Sequence, residues 1–223
     1  MNIPMQVVSF LSSRGLRLAT AESCTAGQIA SYLASVPGSG SCLDVGFVSY
    51  SPSGKAGFLG VKESTMKGYG LTSEEVAREM AEGALRQEGC SADVAVSNTG
   101  LADGEPGGGP PAGTQCFAWS FRTREATVVT FSETRQFSGG RNDVRSGAAL
   151  YALSRIEYYF NPSISSRPPG GNDTHGRRHE PSVHPCARGY RYWPFSLRPF
   201  RGLFTSLFAP LRVPIFRPSA LPR

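Results

Sequence analysis

The chain has 223 residues, room for one domain of ordinary size and an appendage, and its net charge of +6 is unevenly distributed. Residues 1–160 hold 13 Lys+Arg against 15 Asp+Glu; residues 161–223 hold 10 Arg, no Lys and 2 acids, with 11 of the 17 Pro and all three His. The basic character therefore belongs to the tail and gives no nucleic-acid signal for the first 160 residues, and the missing imidazole excludes a Ser-His-Asp triad, a Cys-His pair and a His-based metal site there.

In chain order, Gln6–Ser13 carries Val7, Val8, Phe10 and Leu11 at helical spacing and ends near Gly15. Leu16, Leu18 and Ala21 form an apolar run of strand length. The small polar segment Glu22-Ser-Cys-Thr-Ala-Gly then opens into a helical pattern at Ile29, Leu33 and Val36. Free N–H groups and the hydroxyls of Ser23 and Thr25 suit this turn to an anion, although Ser and Thr are favoured at such caps whatever the function. Val36-Pro-Gly-Ser-Gly-Ser-Cys reads as a loop and Val45–Tyr50 as a strand, followed by short helical pieces at Ala56–Val61 and Glu63–Lys67.

Ser73 caps a helix with an acidic first turn and an apolar face at Val76, Met80, Ala84 and Leu85, ending by Gly89. Ala92–Val96 is a buried strand, and the stretch from Ser97 to Gly113 is too rich in Gly and Pro for regular structure. Thr114–Phe121 and Ala126–Phe131 form a hairpin, and a last helix presents Val144, Ala148, Tyr151, Ala152 and Ile156. This alternation predicts an α/β domain over 1–160, a central mixed sheet flanked by helices in three layers, whose loops carry the site.

Five widely spaced cysteines with no CxxC point to reduced, mostly buried thiols and a cytoplasmic setting. No apolar run reaches membrane-spanning length, and no membrane partner is expected. A domain of this class is compatible with a symmetric homo-oligomer. Residues 161–223 read as a disordered Pro/Arg-rich tail. Its arginines and aromatics suit nucleic acid or an acidic membrane, but its scattered prolines and lack of periodicity favour an unevolved, frameshift-like end.

Several segments together resemble one family: Ala-Glu-Ser-Cys-Thr-Ala-Gly (21–27), Gly-Phe-Val-Ser-Tyr-Ser (46–51) with Lys55 and Leu-Gly-Val (59–61), Thr-Ser-Glu-Glu-Val-Ala (72–77), Met-Ala-Glu-Gly-Ala-Leu (80–85), Thr-Gly-Leu-Ala (99–102) and Phe-Ser-Gly-Gly-Arg (137–141). In this order they are similar to the C-terminal domain of the CinA competence/damage-inducible proteins, the nicotinamide mononucleotide amidohydrolase family. The resemblance implies hydrolysis of the carboxamide of that nucleotide to the acid and ammonia, without a metal or other cofactor, by a serine nucleophile and a lysine base.

The resemblance assigns Lys55 as the base, which requires a lowered pKa, and Tyr50 beside it as a catalytic residue that assists proton transfer. It places Ser23, Thr25 and Thr99 against the substrate and Arg141 against its phosphate. The family nucleophile, the second serine of a Gly-Ser-Ser loop, falls on Gly40 here, which leaves Ser39 or Ser41 as substitutes after a loop shift and Ser23 as a further candidate. Asp103 and Glu105 bring carboxylates into a loop expected to meet an anionic nucleotide, opposing phosphate binding unless they turn outward or bind a cation. Ala26 stands where the family has the second glycine of the turn. These departures keep open a second reading, a catalytically silent nucleotide-binding or assembly module on the same fold.

Overall fold

The computed structural model of the chain describes residues 2–104, 109–125 and 127–161. The expectations for Glu105 and for the tail from residue 162 onward, which holds the fifth cysteine, Cys186, lie outside these residues. The elements run α1 (Ile3–Ser13), β1 (Leu18–Glu22), α2 (Gln28–Ala34), a single 3-10 turn (Ser39–Ser41), β2 (Leu43–Val48), α3 (Pro52–Leu59), α4 (Glu63–Tyr69), α5 (Glu74–Arg86), β3 (Val94–Gly100), β4 (Thr114–Arg122), β5 (Val128–Gln136), α6 (Arg141–Ser154) and α7 (Ile156–Tyr159).

The five strands form one mixed sheet in the order β2-β1-β3-β4-β5. β1 runs parallel to both β2 and β3, while β4 and β5 are antiparallel additions. Alternation along the central strands divides the core between the two faces. Leu18, Val94, Val96, Phe117, Trp119 and Phe121 face α1, α2, α6 and α7, where the Trp119 Nε1–H donates to the Ala152 carbonyl at 2.8 Å. Ala19, Ala21, Ala95 and Ala118 face the other way and let α5 lie close. The predicted three-layer arrangement is the one observed.

Helix starts follow local chemistry. Asn2, Ser51 and Ser73 accept backbone N–H bonds at the N-termini of α1, α3 and α5, with Pro4 and Pro52 in the first turns of α1 and α3. The Ser51 cap and Pro52 start α3 four residues earlier than its apolar pattern predicts, so Lys55 sits inside a helix. β5 runs to Gln136, past its predicted end at Phe131, because the polar residues Ser132–Gln136 still pair with β4. The four cysteines among the described residues are all free thiols, three of them buried.

Parallel β1, β2 and β3 release their C-terminal ends side by side, at Ser23, Ser49 and Leu101. In open α/β sheets this edge is where ligands bind.

Candidate active site

A cavity of about 630 Å³ opens at this edge, lined by Ser23 and Cys24 after β1, Tyr50 and Lys55 after β2, Thr99–Gly104 at and beyond the end of β3, Met66, Tyr69–Thr72, Pro110 and Arg141. Its apolar wall is supplied by Met66, Tyr69 and Leu71 and suits a planar ring; its polar side is the strand-end cluster.

Lys55 is 1% exposed, a burial that is rare for lysine. Its Nζ donates to Ser23 Oγ at 2.8 Å and to the carbonyls of Ser49 and Tyr50 at 3.1 Å each. Burial lowers its pKa from 10.5 to about 8. No carboxylate forms an ion pair with it among the described residues. A neutral amine keeps two N–H donors for the two carbonyls and turns its lone pair to the Ser23 hydroxyl. Two carbonyls that only accept and one hydroxyl that can accept or donate therefore suit a base as well as an ammonium.

The turn after β1 is fixed from several sides. The Ser23 N–H donates to the Asn98 carbonyl at 2.9 Å, and the Thr25 N–H to Asn98 Oδ1 at 3.1 Å. The fully buried Glu22 carboxylate accepts the Ile29 and Ala30 N–H groups at 3.0 Å, one on each oxygen. That ties β1 to the first turn of α2 and gives Glu22 a structural task beside the polar residues of the site. Ala26 holds φ +49°, a left-handed conformation that costs an alanine about 1 kcal/mol and a glycine nothing. The Arg145 guanidinium on α6 reaches the carbonyls of Cys24 and Thr25.

At the rim, Arg141 donates from Nη1 to Asp103 Oδ2 at 2.6 Å and from Nη2 to the Tyr50 hydroxyl at 2.9 Å. Asp103 thus turns onto the arginine assigned to the substrate phosphate. Thr99 lines the cavity but gives its hydroxyl to the Leu71 carbonyl at 2.8 Å. Thr25 is fully buried, lies outside the cavity lining, and its Oγ1 has no hydrogen-bond partner among the described residues.

Ser39 and Ser41 are not brought to this cavity. They precede β2, whose first residue pairs with Leu18, whereas Ser23 follows Glu22, which pairs with Val48 at the far end. The length of strand between the two ends is about 16 Å. Ser41 bonds instead to Ser12 of α1, at 3.0 Å, and to the Gly38 carbonyl. Sequence reasoning also passed over Asn98 and Arg145. Nothing in their spacing marks them, since they act on a turn more than 70 residues away in the chain.

Among the described residues no group of His, Cys, Asp and Glu is arranged to hold a metal ion, and no helix is long and apolar enough to cross a membrane. The sequence profile of the CinA C-terminal domain matches residues 2–160. The chain belongs to the CinA C-terminal domain family. The Escherichia coli K12 protein named nicotinamide-nucleotide amidohydrolase PncC is 41% identical over 162 residues, 72% of this chain and 94% of its own length. A CinA-like protein of Chloroherpeton thalassium is 46% identical over 166 residues, 73% of this chain. The chain spans only 38% of that longer protein, and 35% of a CinA-like protein from Akkermansia muciniphila. Among solved structures, a CinA superfamily protein of Escherichia coli superposes with a TM-score of 0.64 at 32% identity, covering 71% of this chain and 88% of the other.

Proposed function

We propose that the chain hydrolyses the carboxamide of a pyridine nucleotide, nicotinamide mononucleotide, to the carboxylate and ammonia, a reaction of pyridine nucleotide salvage, with Ser23 as nucleophile and Lys55 as base. The observation that carries this reading is the 2.8 Å contact between Ser23 Oγ and the buried Lys55 Nζ on the wall of a cavity. The amidohydrolase name of the Escherichia coli relative supports the substrate.

Ser23 Oγ attacks the carboxamide carbon as Lys55 takes the hydroxyl proton. The resulting ammonium then gives that proton to the departing nitrogen, releasing ammonia and leaving an ester on Ser23. Lys55, neutral again, deprotonates a water that opens the ester, frees the carboxylate and returns the proton to Ser23 Oγ. The apolar wall of Met66, Tyr69 and Leu71 seats the pyridine ring, and Arg141 with Tyr50 meets the phosphate at the rim.

The silent-module reading rests on Gly40 in place of a serine and on the carboxylates of Asp103 and Glu105. With the nucleophile at Ser23, Gly40 lies at the other end of the strands and does not bear on turnover.

The test is ammonia release from nicotinamide mononucleotide by the full chain beside Ser23→Ala and Lys55→Ala. The expected result is turnover by the unmodified chain, reduced at least about 10³-fold in each variant. Turnover that survives Ser23→Ala contradicts the assignment, and no release from the unmodified chain contradicts the activity.

A further inference from the structure

Among the described residues the turn after β1 leaves the Cys24 N–H and both groups of the Ala26–Gly27 peptide without a hydrogen-bond partner, and of these residues Cys24 alone lines the cavity. The Cys24–Thr25 peptide is gripped on both edges: its N–H, on Thr25, donates to Asn98 Oδ1 at 3.1 Å, and its carbonyl, on Cys24, accepts from Arg145 Nε at 3.0 Å. In the Thr25–Ala26 peptide the N–H of Ala26 donates to the Ser23 carbonyl at 3.1 Å. The Thr25 carbonyl accepts from Gln28 N at 3.1 Å and from Arg145 Nη2 at 3.3 Å. In the Ser23–Cys24 peptide the carbonyl is used by Ala26, but the Cys24 N–H has no hydrogen-bond partner among the described residues. It belongs to the residue that directly follows Ser23, and both residues line the cavity.

We infer that the Cys24 N–H is the donor that meets the oxygen of the attacked carboxamide, and that Arg145 is the positioning residue that holds it there. This rests on the assignment of Ser23 as nucleophile. An N–H beside the nucleophile is useful to the tetrahedral oxyanion only if it is fixed before charge develops, because a donor that must reorient gives back much of its stabilisation. Ala26, strained at φ +49°, does not hold the turn in place by its own preference. The fork of Arg145 does so from outside. One guanidinium takes two successive carbonyls, and Asn98 takes the intervening N–H. The Ser23–Cys24 peptide just before them keeps its N–H free, on the residue next to Ser23. A lysine at position 145 offers a single point charge and cannot grip both carbonyls in a fixed plane.

The experiment measures kcat and KM for ammonia release from nicotinamide mononucleotide between pH 6 and about 10 by the full chain, Arg145→Lys, Arg145→Ala and Ser23→Ala, with thermal melts of each. The Arg145→Ala assay is repeated with added guanidinium ion. The expected result is a fall in kcat of about 10²–10³-fold in both Arg145 variants, KM within about threefold of the unmodified chain, an unmoved pH midpoint, and partial recovery of Arg145→Ala by guanidinium.

A kcat within about threefold in Arg145→Lys overturns the inference while a dead Ser23→Ala preserves the nucleophile. A rise in KM alone also overturns it, since Arg145 then binds substrate directly. Loss of activity that tracks loss of the folded state and is not recovered by guanidinium leaves Arg145 a purely structural residue and overturns it likewise. No ammonia from the unmodified chain removes the amidohydrolase reading and this inference with it.

Discussion

Lys55 Nζ lies 2.8 Å from Ser23 Oγ, on the helix that follows β2, while Ser23 directly follows β1. Two neighbouring parallel strands thus deliver a base and a hydroxyl from positions 32 apart in sequence. Burial holds the lysine at a pKa of about 8, where much of it is neutral under mildly alkaline conditions.

The first prediction concerns pH. A lysine that must accept a proton is active only when deprotonated, so kcat/KM rises tenfold per pH unit on the acid side and levels off above about pH 8. A pH-rate profile from 6 to 10 checks this. A profile that stays flat through pH 8, or falls as pH rises through it, contradicts a neutral Lys55 as base.

The second concerns the rim. Asp103 and Arg141 are both more than half exposed, so their ion pair adds little stability, yet Asp103 occupies one arm of the fork assigned to substrate phosphate and adds a negative charge beside it. Asp103→Asn is expected to lower KM for nicotinamide mononucleotide about three- to tenfold with kcat little changed, and the gain shrinks at high ionic strength. Steady-state kinetics at two salt concentrations check it. A raised KM would instead mean that the carboxylate holds Arg141 in its binding pose.

The third concerns how α3 is held. A Cβ built on Gly83 of α5 would stand 1.8 Å from the Leu59 carbonyl oxygen at the end of α3, a backbone atom that cannot swing away. Gly83→Ala must push apart the two helices, against a helix-propensity gain of under about 1 kcal/mol. A net loss of about 2–3 kcal/mol is expected in urea unfolding. Because α3 carries Lys55, kcat falls as well. An unchanged unfolding midpoint would contradict the packing.

The sequence announces what short-range physics dictates. Val7, Val8, Phe10 and Leu11 report a helix face, Ser73 with two following glutamates reports a helix start, and the order of strand and helix patterns reports the layered sheet. It does not announce what the sheet order decides. Ser39 and Ser41 are nearer to Lys55 in the chain than Ser23 is, but they sit before β2, at the end of the strand opposite the one that leads to Lys55. The polar half of β5 gives no strand pattern. It holds Glu133, which accepts from the hydroxyls of Tyr151 and Tyr159 and from Arg155 Nη2 at 2.7 Å. Burial raises the Glu133 pKa, and these donors outweigh it to bring the group to about 2. That network depends on helices that follow β5 in the chain. The direction in which Asp103 turns is decided by Arg141, 38 positions later.

The most direct measurement compares ammonia release from nicotinamide mononucleotide by Ser23→Ala and by the Ser39→Ala/Ser41→Ala double variant, each against the unmodified chain. The account predicts that Ser23→Ala loses at least about 10³-fold in kcat while the double variant stays within about threefold. A double variant that is dead beside a working Ser23→Ala would contradict it and return the nucleophile to the loop before β2.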